Sequence, residues 1–202
     1  PEPEDRIEIG GNWNPTETLL LNASFWIQNT YTHSDGFVDF DEDNYPIVLS
    51  AAYMPDERWA FTGGYATFSN WISQDITLSS DFPFTSEWDY AGRADVFSLG
   101  ASYAWTCRMR LTGGVEYVRS RNVITDVPSS PEALAAGNPY TDIPGYSAVR
   151  VNTWRLTGGV DYELSQNMNT FFRYNFFDYG DRAMLYNAGT AHMFLAGLSG
   201  VF

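Results

Sequence analysis

AGTAHMFLAGLSGVF, residues Ala188 to Phe202, closes the chain, and reading it in steps of two decides the fold. Gly200, Leu198, Ala196 and Phe194 fall on the same side as Phe202, and all are apolar or glycine. Successive side chains of a strand point to opposite faces, so this segment reads as a strand with one apolar face.

Working outward from it, the same period recurs along the chain. Ile7, Ile9, Gly11 and Trp13 share one side of a first strand, opposite Glu8, Gly10, Asn12 and Asn14. Leu19, Leu21, Ala23, Phe25 and Ile27 share a side of a second, opposite Asn22, Ser24, Trp26 and Gln28. Further strands are expected at about 45 to 54, 58 to 73, 94 to 106, 108 to 121, 149 to 165, 168 to 178 and 189 to 202. That makes about nine strands, with no helix beyond a turn in Pro131 to Ala136.

The connections alternate in length. Tight turns are expected at Asn14 to Thr18, Met54 to Arg58, Thr106 to Arg108 and Ser165 to Asn167, and long polar loops at about 31 to 45, 74 to 93, 122 to 148 and 179 to 188. Barrels threaded through a membrane have short periplasmic turns and longer extracellular loops, whereas a soluble sandwich has no reason to keep its long loops on one side. The apolar runs are far shorter than the roughly 18 to 20 residues of a spanning helix, but a barrel strand needs only about 9 to 11 residues, alternate ones apolar. A mean hydropathy of -0.28 is compatible with that.

A terminal aromatic on such a strand, here Phe202, resembles the C-terminal signal of Gram-negative outer-membrane β-barrels, which their assembly machinery reads. The resemblance implies an all-β, antiparallel transmembrane β-barrel in the bacterial outer membrane, porin-like, with outer-membrane lipid and the barrel assembly machinery as partners. The short first turn makes the first and last strands run the same way, so nine strands cannot close antiparallel. The chain is therefore expected to be the C-terminal portion of a larger barrel, missing N-terminal strands or a partner protein at its edges; a single barrel domain over residues 1–202 is the alternative.

Composition agrees. Aromatics make up 17% of the 202 residues, as 13 Tyr, 14 Phe and 7 Trp, which suits the girdles of a membrane barrel. The net charge of -14 sets 25 acids against 11 bases, all of them Arg. So acidic a chain is a poor match for phosphate backbones, and no nucleic-acid partner is expected. The one cysteine, Cys107, falls in a tight turn and cannot form an internal disulfide.

An internal echo marks the candidate site. Arg110-Leu-Thr-Gly-Gly-Val-Glu-Tyr117 recurs as Arg155-Leu-Thr-Gly-Gly-Val-Asp-Tyr162. Parity places Arg110, Thr112, Gly114 and Glu116 on one face, with Arg155, Thr157, Gly159 and Asp161 on the corresponding one. Leucine, valine and tyrosine occupy the opposite faces, and an arginine in lipid at mid-height would cost about 2 to 4 kcal/mol. Arg110, Thr112, Glu116, Arg155, Thr157, Asp161 and Arg173, with Asn175, are therefore expected to line the lumen. Such rows can select ions or pair with each other to stiffen the wall.

Asp39, Asp41 and Asp43 alternate like the start of a calcium loop but lack its glycine and its closing glutamate, leaving a solvated acidic loop or a loosely held surface cation. The adjacent His33, Ser34 and Asp35 do not make a triad, because sequence neighbours seldom reach that geometry. No catalytic residues, cofactors or enzyme activity are expected. The leading functional expectation is a channel for small solutes or ions. The rival is a structural sleeve that encloses or anchors a partner, such as an electron-conduit cytochrome, or displays surface loops.

Overall fold

The computed structural model describes residues 4–33, 39–77, 85–126, 147–183 and 188–200. Phe202 and the expected turn at Pro131 to Ala136 lie outside them. Ten strands form one antiparallel sheet: β1 (Glu4–Thr16), β2 (Leu19–His33), β3 (Asp39–Asn44), β4 (Ile47–Tyr53), β5 (Trp59–Thr77), β6 (Thr85–Thr106), β7 (Met109–Asp126), β8 (Val149–Ser165), β9 (Met168–Asp181) and β10 (Ala188–Gly200). Strands adjacent in sequence pair with each other except β3 and β4, which both lie between β2 and β5. They are two halves of a single pass.

Pro46 divides that pass. Proline has no N–H to give to a ladder, so it interrupts a central strand. The neighbours hold across the gap, with the Trp26 amide donating to Pro46 O at 3.2 Å and the Tyr45 amide to Ser69 O at 2.8 Å. Registers on either side of the gap agree, Phe25 opposite Ile47 and Gln28 opposite Asn44. The nine expected strands thus correspond to nine passes built from ten strands.

The tight turns fall where the sequence placed them, but the long connections were read too long. β3 begins at Asp39, inside the expected loop 31 to 45; β5 runs on to Thr77, β6 starts at Thr85, and β7 continues to Asp126. These extensions mix charged, polar and apolar residues on both faces, so the clean apolar alternation that marks a strand in sequence is lost there, while backbone pairing continues. Asp39, Asp41 and Asp43 therefore sit on a strand and not in a loop. Among the described residues, β1 pairs only with β2 and β10 only with β9.

Alternation gives the sheet two faces. One carries Ile7, Ile9, Leu49, Leu99, Leu111, Val115, Leu156, Val160 and Leu198, and its large side chains stand open, Ile9 71% and Leu99 65% exposed. Aromatic rows border this apolar band. Toward the tight turns, Trp59 packs on Tyr103 with centroids 4.4 Å apart, beside Phe61 and Trp105. Toward the long connections, Tyr65, Phe97, Tyr117 and Trp154 stand directly opposite one another on four neighbouring strands, with centroids 4.7, 6.4 and 4.5 Å apart. No described helix is long and apolar enough to cross a membrane; the strands, with girdles at both ends of an apolar band, have the build of membrane-crossing elements.

Candidate functional site

The opposite face holds every expected lumen residue. Antiparallel register sets Arg110 opposite Asp161, Thr112 opposite Gly159, Gly114 opposite Thr157 and Glu116 opposite Arg155 on β7 and β8. Across the next ladder, Gly159 meets Arg173, Thr157 meets Asn175 and Arg155 meets Phe177. Directly opposed residues share a face, so the echoed segments and β9 form one polar surface.

Two of its arginines lie down along the wall. Arg173 crosses diagonally to Asp161, Nη2 to Oδ1 at 2.5 Å, and its Nη1 donates to the Val160 carbonyl at 3.1 Å. It runs over Gly159, where a Cβ would meet Arg173 Cδ at 2.7 Å and Thr112 Oγ1 at 2.8 Å. The guanidinium also stands 5.7 Å from the Phe171 ring, which in turn lies over Gly197. Arg155 leans toward β9 rather than toward Glu116: its Nη2 reaches Asn175 Oδ1 at 3.5 Å and its guanidinium stands 5.5 Å from the Phe177 ring. Asn175 is 8% exposed. Arg110 is exposed near the tight-turn end, at the mouth of a hollow that also includes Arg108, Asp161 and Phe171.

Between and beside these charged groups the same face carries small residues paired with glycines. Gly64 faces Ser98, Gly100 faces Thr62 and Gly114 faces Thr157, and a Cβ at each glycine would meet the neighbour's hydroxyl oxygen at 2.8, 2.7 and 3.0 Å. Each glycine is a slot that receives a side chain from the next strand. Gly92 does the same for Asn70. Around these pairs the surface has little relief, while Phe68, 43% exposed, and Arg6 over the Trp26 ring stand on the same face nearer β1.

The sequence foresaw the polar face and its arginine and carboxylate rows, but not the aromatic floor of Phe171 and Phe177. Their odd positions, in parity with Arg173, were the available signal. Asp41 and Asp43 both accept from the Asn29 amide, at 2.8 and 2.9 Å, on the apolar-face side beyond the girdle. The side chains of His33 and Asp39, and residues 34 and 35 altogether, lie outside the described residues. Among the described residues no three His, Cys, Asp or Glu side chains gather as a metal site. His192 sits on the apolar face, its Nδ1 2.9 Å from Tyr174 Oη, within the aromatic border.

Residues 4–198 match the family described as "Putative outer membrane beta-barrel porin, MtrB/PioB". No curated protein matches the chain in sequence. In fold it is similar to the alcaligin outer-membrane receptor FauA from Bordetella pertussis, with a TM-score of 0.69 and 14% identity over 98% of this chain and 33% of that one. It is also similar to the copper transporter OprC, TM-score 0.63 and 13% identity over 96% of this chain and 33% of that one. The FrpB iron transporter from Neisseria meningitidis gives a TM-score of 0.63 at 8% identity, over 96% of this chain and 32% of that one. The chain spans about a third of the length of these barrels.

Proposed function

The chain belongs to this MtrB/PioB family of outer-membrane β-barrel porins, and from that premise we propose that it forms part of the wall of a wide barrel whose lumen is kept clear for an occupant. The apolar band and its girdles take the lipid, and the polar face takes the lumen, because the reverse would put Arg110, Glu116, Arg155 and Asp161 into hydrocarbon. Among the described residues β1 and β10 each keep one edge without a partner strand, and such an edge cannot stand in lipid, where each unpaired backbone group costs several kcal/mol. Further strands complete the barrel on this reading.

The flat polar face is the observation that carries the proposal. A selective pore needs charged side chains that reach into water at a constriction. Here Arg173 and Arg155 lean on Asp161, Val160 O and Asn175 within the wall, glycines receive side chains from the neighbouring strands, and the exposed Arg110 stands at the tight-turn end. Small residues let another surface approach closely, so the wall suits a protein occupant of the electron-conduit kind better than ion selection. An open channel for small solutes is the second reading, and the same clear lumen favours it if no occupant is present. Conductance of the full-length protein in a planar bilayer tests the pair. A sleeve gives a large, weakly selective current that falls when the protein partner co-purified from the same membranes is restored. A current that the partner leaves unchanged overturns the sleeve.

A further inference from the structure

On the lipid side, beyond the upper girdle, the sheet carries a row of arginines that neither the lumen nor the girdle uses. Register sets Arg93 on β6 opposite Arg121 on β7, and Arg121 opposite Arg150 on β8. Arg182, just past β9, continues the row: its amide donates to the Arg150 carbonyl at 2.8 Å. All four are exposed and line one shallow surface hollow with Val123 and Ala183. Arg119 stands one rung nearer the girdle, opposite Asp95 and Asn152.

Neighbouring strands lie about 4.8 Å apart, and like charges directly opposite each other destabilise a sheet. Within these rungs Asp95 is tied to Arg93 at 3.0 Å, leaving a strongly positive strip on a chain of net charge -14. Such a strip calls for an external anion. Its height says which one. Arg93 is four residues beyond Phe97 of the girdle, about 13 Å of strand at roughly 3.4 Å per residue and about 10 Å of height at a tilt near 40°. That level, on the side of the long connections, is where the headgroups of the outer leaflet lie. Arginine forks match phosphate geometry with paired hydrogen bonds.

We propose that Arg93, Arg121, Arg150 and Arg182, with Arg119 below them, bind the phosphate groups of the phosphorylated glycolipid of the outer leaflet. The proposal rests on the lipid-facing assignment of the apolar face, but not on what fills the lumen. The row then acts as an anchor that fixes the barrel's height on its β6 to β9 side.

The test uses the full-length protein in phosphatidylcholine vesicles, with added phosphorylated lipid A, the same lipid dephosphorylated, or inorganic phosphate. Binding is read by the shift in thermal unfolding and by lipid retained in native mass spectrometry. Phosphorylated lipid A should bind and raise the unfolding temperature, and its dephosphorylated form should not. Arg121→Gln, Arg150→Gln and Arg182→Gln should each weaken retention by about fivefold, while Arg58→Gln, in a turn at the opposite end, should leave it unchanged. Equal binding of the dephosphorylated lipid, or equal retention by the three variants, overturns the proposal. A response to inorganic phosphate matching that to the lipid would replace it with a free-anion site. The comparison of the two lipids needs no variant, so a variant that fails to fold does not remove the test.

Discussion

Two sets of residues on the same strands, one position apart, occupy opposite faces of the sheet. Leu156 stands open and Leu111, Val115 and Val160 are half-exposed on an apolar face, while Arg110, Glu116, Arg155 and Asp161 share the other face with an aromatic floor and a buried asparagine. On the apolar side the side chains stand out from the sheet and need a fluid to bury them. On the polar side Arg173 folds down over Gly159 to Asp161 and Arg155 leans to Asn175, needing little from what passes by. The difference teaches where the stability of this wall resides. On the proposed reading lipid covers the first face, and lateral contacts built into the wall finish much of the second.

The strongest way to break that contrast is to put one charge on each face at mid-height. Leu156→Arg should destabilise the folded protein by about 2 to 4 kcal/mol in a bilayer. Ser102→Arg, on the polar face opposite Ala60 and Thr112, should stay within about 0.5 kcal/mol, as surface substitutions usually do. Urea titration of the full-length barrel in lipid vesicles measures both. Equal costs would mean that the two faces do not meet different solvents.

A smaller effect sharpens the border of the apolar band. Trp154→Ala removes a ring 4.5 Å from Tyr117, and such pairs contribute about 0.5 to 1.5 kcal/mol beyond area burial. A double-mutant cycle with Tyr117→Ala isolates that coupling. A coupling near zero would make the row a set of independent lipid anchors and not a continuous belt.

The faces were legible because parity is rigid: once Leu111 is apolar and Arg110 charged, a strand has one arrangement that keeps the charge out of lipid. Two things were not legible. The ends of β3, β5, β6 and β7 looked like loops, since beyond the lipid both faces are wet and Asp41, Glu42 and Asp43 cost nothing on either side. The partner of each charge was also hidden. Register puts Asp161 opposite Arg110, yet its ion pair is the diagonal one with Arg173. Spacing along one strand gives the face a side chain occupies, but not the way it leans, which depends on where the neighbouring strand offers a glycine.

That leaning gives the finest test. Arg173 and Asp161 are both about a third exposed, 34% and 39% for the side chains, so solvent screens the pair and Arg173→Gln should cost no more than about 1 kcal/mol. Its effect on ion selectivity should be small as well, because the guanidinium is already committed to Asp161 and the Val160 carbonyl. Gly159→Leu asks the opposite question. The new side chain would occupy the space where Arg173 now lies, and the arginine must leave the wall for the lumen. The barrel should still fold, since the displaced groups are the far end of the flexible arginine, which enters water, and the Thr112 hydroxyl. Conductance should then fall and the reversal potential in a salt gradient shift toward anions, whereas Arg173→Gln leaves both near wild type and Gly159→Leu combined with Arg173→Gln restores the selectivity. If Arg173→Gln alone shifted the reversal potential as far as Gly159→Leu, the arginine would already reach the permeating ions in the native protein, and the polar face would be a selective pore lining.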